Sequence, residues 1–120
     1  MKRNYLIYLN DISKNIELTE KFIKDITFDN FSNDEKTQYA VIRSIEIIGE
    51  AAKKIPDEIR EMNKEIPFKE MSGMRDKLIH FYFGVNLNLI WKTVTEEMPD
   101  VKRKIVLLVD ELSNQTKLDL

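Results

Sequence analysis

The chain has 120 residues, enough for one domain with a genuine apolar core, and 21 acidic against 19 basic residues leave a net charge of only −2. With no cysteine it has no disulfide framework, thiolate zinc site or thiol nucleophile, and its one histidine excludes a multi-histidine metal cluster within a single copy. Three glycines and three prolines are too few for an all-β domain with many tight turns, and a strongly basic nucleic-acid binder would have a different charge balance, so any RNA or DNA contact must be local. No apolar stretch approaches the roughly 20 residues that span a membrane. Met1-Lys2-Arg3-Asn4 leads into a helix broken by polar residues rather than into a signal sequence, so the expectation is a soluble, cytoplasmic, helical domain with no membrane partner.

From about Asn4 to Asp25, Leu9, Ile12, Ile16, Ile23 and Ile26 recur at helical spacing behind Tyr5, with Asp11, Lys14, Lys21 and Lys24 opposite, which predicts an amphipathic helix. Thr27 to Asn33 reads as a turn, and Ser32 followed three residues later by Glu35 fits a capping box that starts a second helix, about Asp34 to Lys54. Val41, Ile45, Ile48 and Ala52 share one face of it, and Ala40, Ser44, Ile47 and Ala51 form an adjoining one. An apolar arc that wide predicts packing on two sides, one of which a second subunit could supply. Gly49 sits in the middle of this helix, where it costs about 1 kcal/mol relative to alanine, so a close helix approach is expected there, inside the bundle or across a dimer. Pro56 suits the first turn of a short helix to about Met62, and Lys64 to Met71, interrupted by Pro67, is a connector. A helix from about Ser72 to Phe83 stops at Gly84, and Asn86 caps the next, which runs to about Glu97 through Leu87, Ile90, Trp91 and Val94. Pro99 and Asp100 open the last helix with the stripe Val101, Ile105, Leu108 and Leu112, and the polar tail from Ser113 to Leu120 is expected to fray. With no repeat or linker, residues 1–120 read as a single all-α domain, an antiparallel bundle of four to five helices with short extra ones.

The chemistry concentrates in Met74 to Gly84, which reads MRDKLIHFYFG and contains Arg75-x4-His80-x-Tyr82. Such a trio can cleave RNA through the substrate's own 2′-hydroxyl. A neutral imidazole, with an unperturbed pKa of about 6.5, can take the hydroxyl proton. A guanidinium can brace the phosphate as charge builds on it, and a tyrosine can position a phosphate oxygen or the histidine; no metal or cofactor is needed. On an unbroken helix Arg75 and Tyr82 share a face, whereas His80 lies about 140° round from Arg75. Either the helix ends near His80 or a second chain completes the site. The plainer alternative is a histidine at a helix C-terminus, stabilised by the helix dipole, with Tyr82 packed in the core.

The chain also resembles a known family. The agreement runs through Arg3-Asn4-Tyr5-Leu6, Asp11-Ile12, Tyr39-Ala40-Val41-Ile42-Arg43 and Glu46-Ile47-Ile48-Gly49-Glu50-Ala51, then Ile66-Pro67-Phe68, Gly73-Met74-Arg75, Ile79-His80-Phe81-Tyr82 and Asp100-Val101. On these residues it resembles the HepT-like family of the HEPN superfamily over nearly its whole length to about Leu108. The resemblance implies the toxin of a toxin–antitoxin pair, a metal-independent endoribonuclease that acts as a helical homodimer or higher even oligomer with two Arg-x4–6-His motifs facing one cleft. It implies Arg75 and His80 as catalytic residues, and Tyr82 as the tyrosine to which a minimal nucleotidyltransferase antitoxin transfers AMP, adding negative charge where RNA phosphate should sit. One departure is Asp76, since many relatives have asparagine after the motif arginine; a carboxylate there could hold Arg75 or His80, or repel phosphate.

Arg43, Glu46 and Glu50 share one helix face, either as a solvated face with an internal ion pair or beside the cleft or a partner. Lys53-Lys54 and Lys102-Arg103-Lys104 could touch an RNA backbone but read more simply as solvated runs, and Trp91 reads as core rather than a base-stacking platform. A function of a different class also fits: a non-catalytic helical module that docks a nucleotidyltransferase and presents Tyr82.

Overall fold

Leu9, Ile12 and Ile16 are each 0% exposed, so the stripe read from the first segment is one wall of the core. The computed structural model describes residues 4–80 and 86–118, and every regular element among them is helical. Helix α1 (Asn4–Phe22) ends before Asp25, which adopts a φ of 61°, a left-handed conformation that a short polar side chain tolerates. The segment expected as a turn instead forms a short helix, α2 (Phe28–Ser32). Its start is fixed by reciprocal bonds: Asn30 N donates to Thr27 Oγ1 and Thr27 N donates to Asn30 Oδ1, each at 3.1 Å. This turn of helix buries Phe31 completely and sets its ring 5.2 Å from that of Trp91, with Phe28 packing edge-on to the same indole at 6.0 Å. Trp91 therefore belongs to the core packing.

Helix α3 (Glu35–Lys53) agrees with its predicted span, but its cap is Asp34, whose carboxylate accepts from Thr37 N at 3.1 Å. Ser32 lies inside α2 and donates its hydroxyl back to the Phe28 carbonyl at 2.8 Å, so the capping box expected from Ser32 and Glu35 does not form. Helix α3 is indeed packed on two sides, and both belong to this chain: α1 on one and α5 (Phe68–His80) on the other. The width of its apolar arc therefore no longer calls for a second subunit. Lys54, just past α3, lies 5.2 Å over the Tyr8 ring near the start of α1, as an antiparallel pair requires.

Pro56 directly precedes α4 (Asp57–Met62), from which the Arg60 guanidinium donates to the carbonyls of Ala52 and Ile55 and so closes the C-terminal end of α3. Helix α5 begins right after Pro67, four residues ahead of the expected Ser72, because Met71 N already donates to the Pro67 carbonyl at 3.0 Å. The expected stop at Gly84 lies outside the described residues. Asn86 caps α6 (Leu87–Lys92) as read, accepting from Leu89 N at 3.2 Å. The break expected at Pro99 does not occur. Helix α6 continues through a wide π turn (Thr93–Glu97) into α7 (Met98–Leu118). Proline has no N–H to donate and its ring crowds the carbonyl four residues back; the turn widens, and Met98 N reaches back to the Thr93 carbonyl. The polar tail, too, is helical from Ser113 to Leu118. With α6 and α7 fused, the described residues form four principal helices and two short ones, in keeping with the all-α bundle that the sequence predicts.

Candidate functional site

Helices α3 and α5 approach each other closely at Gly49. A Cβ placed there would stand 2.2 Å from Arg75 Cβ, 2.9 Å from Arg75 Cγ and 3.0 Å from the Met71 carbonyl oxygen. Glycine is needed because the stem of Arg75 lies directly on the α3 backbone. The close approach read from the sequence is thus inside the bundle, and the residue it admits is the motif arginine.

The seam sets three charged side chains, Glu50, Lys53 and Asp76, around Arg75. Arg75 Nη2 lies 3.4 Å from Glu50 Oε1, and Arg75 Nη1 lies 3.3 Å from Asp76 Oδ1. The same Asp76 oxygen accepts from Lys53 Nζ at 2.6 Å. Arg75 is 25% exposed, against 52% for Glu50 and 46% for Asp76, so its stem is covered while its charged end opens toward half-solvated partners. Its Nε is buried without a hydrogen-bond partner among the described residues. The Lys53 hydrogen bond, ahead of that from Arg75, holds the Asp76 carboxyl below the ordinary carboxylate value against the opposing effect of desolvation. Contacts of 3.3–3.4 Å from partly exposed groups are weak ion pairs. A phosphate, with its oxygens matched to the guanidinium fork, can replace them.

The other candidates divide. Arg43 pairs with Glu46 at 3.5 Å within α3, with side chains 65% and 30% exposed, and neither joins the Arg75 cluster. Glu50, read with them as one face, does join it. His80 is the last residue of α5; its side chain and all of Tyr82 lie outside the described residues. The backbone is helical from Arg75 to His80, so the two positions lie about 140° apart around the α5 axis within one copy. The basic run of α7 is engaged inside the chain, Lys102 with Glu20 at 2.6 Å and Lys104 with Asp100 at 3.0 Å, while Arg103 also pairs with Asp100. In the sequence Lys53 reads only as part of a solvated run, and the one signal of its role is its place one turn after both Gly49 and Glu50. Among the described residues no three histidine, aspartate or glutamate side chains group as a metal site would need, and no helix is long and apolar enough to cross a membrane.

A family model described as "Ribonuclease HepT-like" matches residues 12–108. "Probable ribonuclease HepT" of Thermococcus cleftensis is 54% identical over 104 residues, which cover 87% of this chain and 94% of that protein. "Putative RNase MJ0125" of Methanocaldococcus jannaschii is 44% identical over 114 residues, covering 95% of this chain and 98% of that protein. No solved structure gives a significant match.

Proposed function

Because the chain belongs to the ribonuclease HepT-like family, we propose that it is an endoribonuclease toxin that cuts RNA with Arg75 and His80 and without a metal ion. The observation that carries this reading is the setting of Arg75, whose stem is locked on Gly49 while its outer nitrogens face exchangeable carboxylates at 3.3 and 3.4 Å. In the proposed reaction the neutral His80 imidazole accepts the proton of a ribose 2′-hydroxyl, and the freed oxygen attacks the adjacent phosphorus. The bond to the 5′-oxygen breaks, a protonated imidazole returns a proton to that oxygen, and a 2′,3′-cyclic phosphate and a 5′-hydroxyl result. Arg75 braces the non-bridging oxygens as their charge rises.

A base and an acid that are both imidazoles need two chains, because each chain has one histidine. The divergence of positions 75 and 80 on α5 favours the same arrangement, a homodimer or higher even oligomer in which Arg75 of one copy and His80 of the other serve one phosphate. The proposed site of action is the cytoplasm. A minimal nucleotidyltransferase would neutralise the toxin: the Tyr82 phenol attacks the α-phosphorus of ATP, pyrophosphate leaves, and the tyrosyl-AMP excludes RNA by charge and bulk.

Cleavage of end-labelled tRNA in EDTA tests this reading. Arg75→Ala and His80→Ala should each lower the rate by about 100-fold or more, the scale of a lost acid–base group or charge clamp. Equal cleavage by wild type and both variants, or activity abolished by EDTA, would overturn it. A second reading has an observation of its own: Arg75 and Lys53 are balanced by Glu50 and Asp76, as in a non-catalytic module that only docks the nucleotidyltransferase. That module would bind its partner and leave RNA intact.

A further inference from the structure

Asp76 follows the arginine on which cleavage depends. A carboxylate free to close on that guanidinium would occupy the edge a phosphate needs and would repel the phosphate as well. In the structure one oxygen of Asp76 is shared unequally, 2.6 Å from Lys53 Nζ and 3.3 Å from Arg75 Nη1. Hydrogen bonds weaken beyond about 3.2 Å, so the ammonium is the governing partner. It comes from the opposite side of the seam, since Lys53 ends α3 and Asp76 lies on α5. Gly49 lets the two helices approach closely at this point. We propose that Lys53 is a positioning residue that draws the Asp76 carboxylate away from Arg75 and so keeps the Nη1 edge of the guanidinium open to a substrate phosphate. Its consequence for catalysis rests on the ribonuclease reading. Depression of the Asp76 carboxyl, foremost by Lys53, agrees with the geometry.

Two plainer roles compete. A half-exposed ion pair can be inert, and a lysine beside the site can touch RNA phosphate itself. The full-length wild type, Lys53→Met, Asp76→Asn, the double variant and Arg75→Ala separate all three. One readout needs no RNA: the rate at which phenylglyoxal modifies Arg75, followed by peptide mass mapping. The other is kcat/KM on labelled RNA. Lys53→Met should slow Arg75 modification several-fold and lower kcat/KM about tenfold, within the coupling range of residues that share one ion-pair network. Adding Asp76→Asn should return both quantities to those of Asp76→Asn alone, because no carboxylate is left to close on Arg75. Unchanged modification in Lys53→Met overturns the proposal. So does a loss that persists in the Asp76→Asn background, which would make Lys53 a direct phosphate contact. If the wild type does not cut RNA, the ribonuclease reading falls while the labelling still decides what Lys53 does to Arg75.

Discussion

Along one face of α3, Val41, Ile45, Ile48 and Ala52 are at most 1% exposed; on the adjoining side Gly49 admits Arg75, and Glu50 and Lys53 meet Arg75 and Asp76 in a half-solvated seam. The two regions are built from opposite materials. Burial stabilises the first, at about 1.5–3 kcal/mol for each fully buried large aliphatic side chain. The second spends about 1 kcal/mol of helix propensity on a glycine, and its half-solvated ion pairs add little to stability. Stability therefore resides in the first region, and the seam is better explained by what it does for Arg75.

The largest expected effect tests that separation from the core side. Phe31 is 0% exposed under Trp91, so Phe31→Ala should cost about 3–5 kcal/mol in chemical denaturation. RNA cleavage per folded molecule should stay unchanged at temperatures where the variant remains native. Loss of cleavage in the folded variant would show that core and seam are one unit.

Gly49→Ala attacks the boundary between the regions. Alanine would gain about 1 kcal/mol in helix propensity, but its Cβ would sit 2.2 Å from Arg75 Cβ and 3.0 Å from a backbone oxygen, neither of which is the loose end of a flexible chain. The clash should win, with a net loss of about 1–3 kcal/mol, and cleavage should fall as Arg75 is pushed aside. A stabilised, fully active Gly49→Ala protein would mean that α3 and α5 do not pack this closely.

The two regions were not equally legible in the sequence. Periodicity exposed the core because burial on a helix repeats every three to four residues, and Leu9, Ile12, Ile16, Val41, Ile45, Ile48, Val101, Ile105 and Leu108 are all buried as read. It missed Phe31, because a five-residue helix has no period and its capping box uses Asn30 in place of glutamate or glutamine. It misplaced a boundary at Pro99, because a proline reads the same whether a helix stops or widens by a residue. In the seam, Gly49 announced a close approach through its propensity cost, but only the folded chain names Arg75 as what approaches. Lys53 and Lys54 look alike in sequence, yet one holds Asp76 and the other lies over Tyr8.

The smallest effect is a matter of curve shape. The Asp76 carboxyl titrates below its ordinary value of 3.8, chiefly through Lys53, as do Asp34 through Thr37 and Asp100 through Arg103 and Lys104. A carboxyl depressed in the folded state stabilises the protein above its unfolded pKa, and that contribution disappears as pH falls through the lower folded value. The melting temperature should therefore decline on acidification below about pH 4. Asp76→Asn removes the seam's share. Its melting temperature should lie slightly below that of wild type at pH 7, and the two should converge as pH falls through the depressed Asp76 value and that carboxyl becomes neutral as well. Phe31→Ala should instead shift the whole curve downward with its shape unchanged, since an apolar face binds no protons. Parallel curves for Asp76→Asn and wild type would detach Lys53 from Asp76 in solution, and with it the distinction between a core that holds the fold and a seam that holds a charge in place.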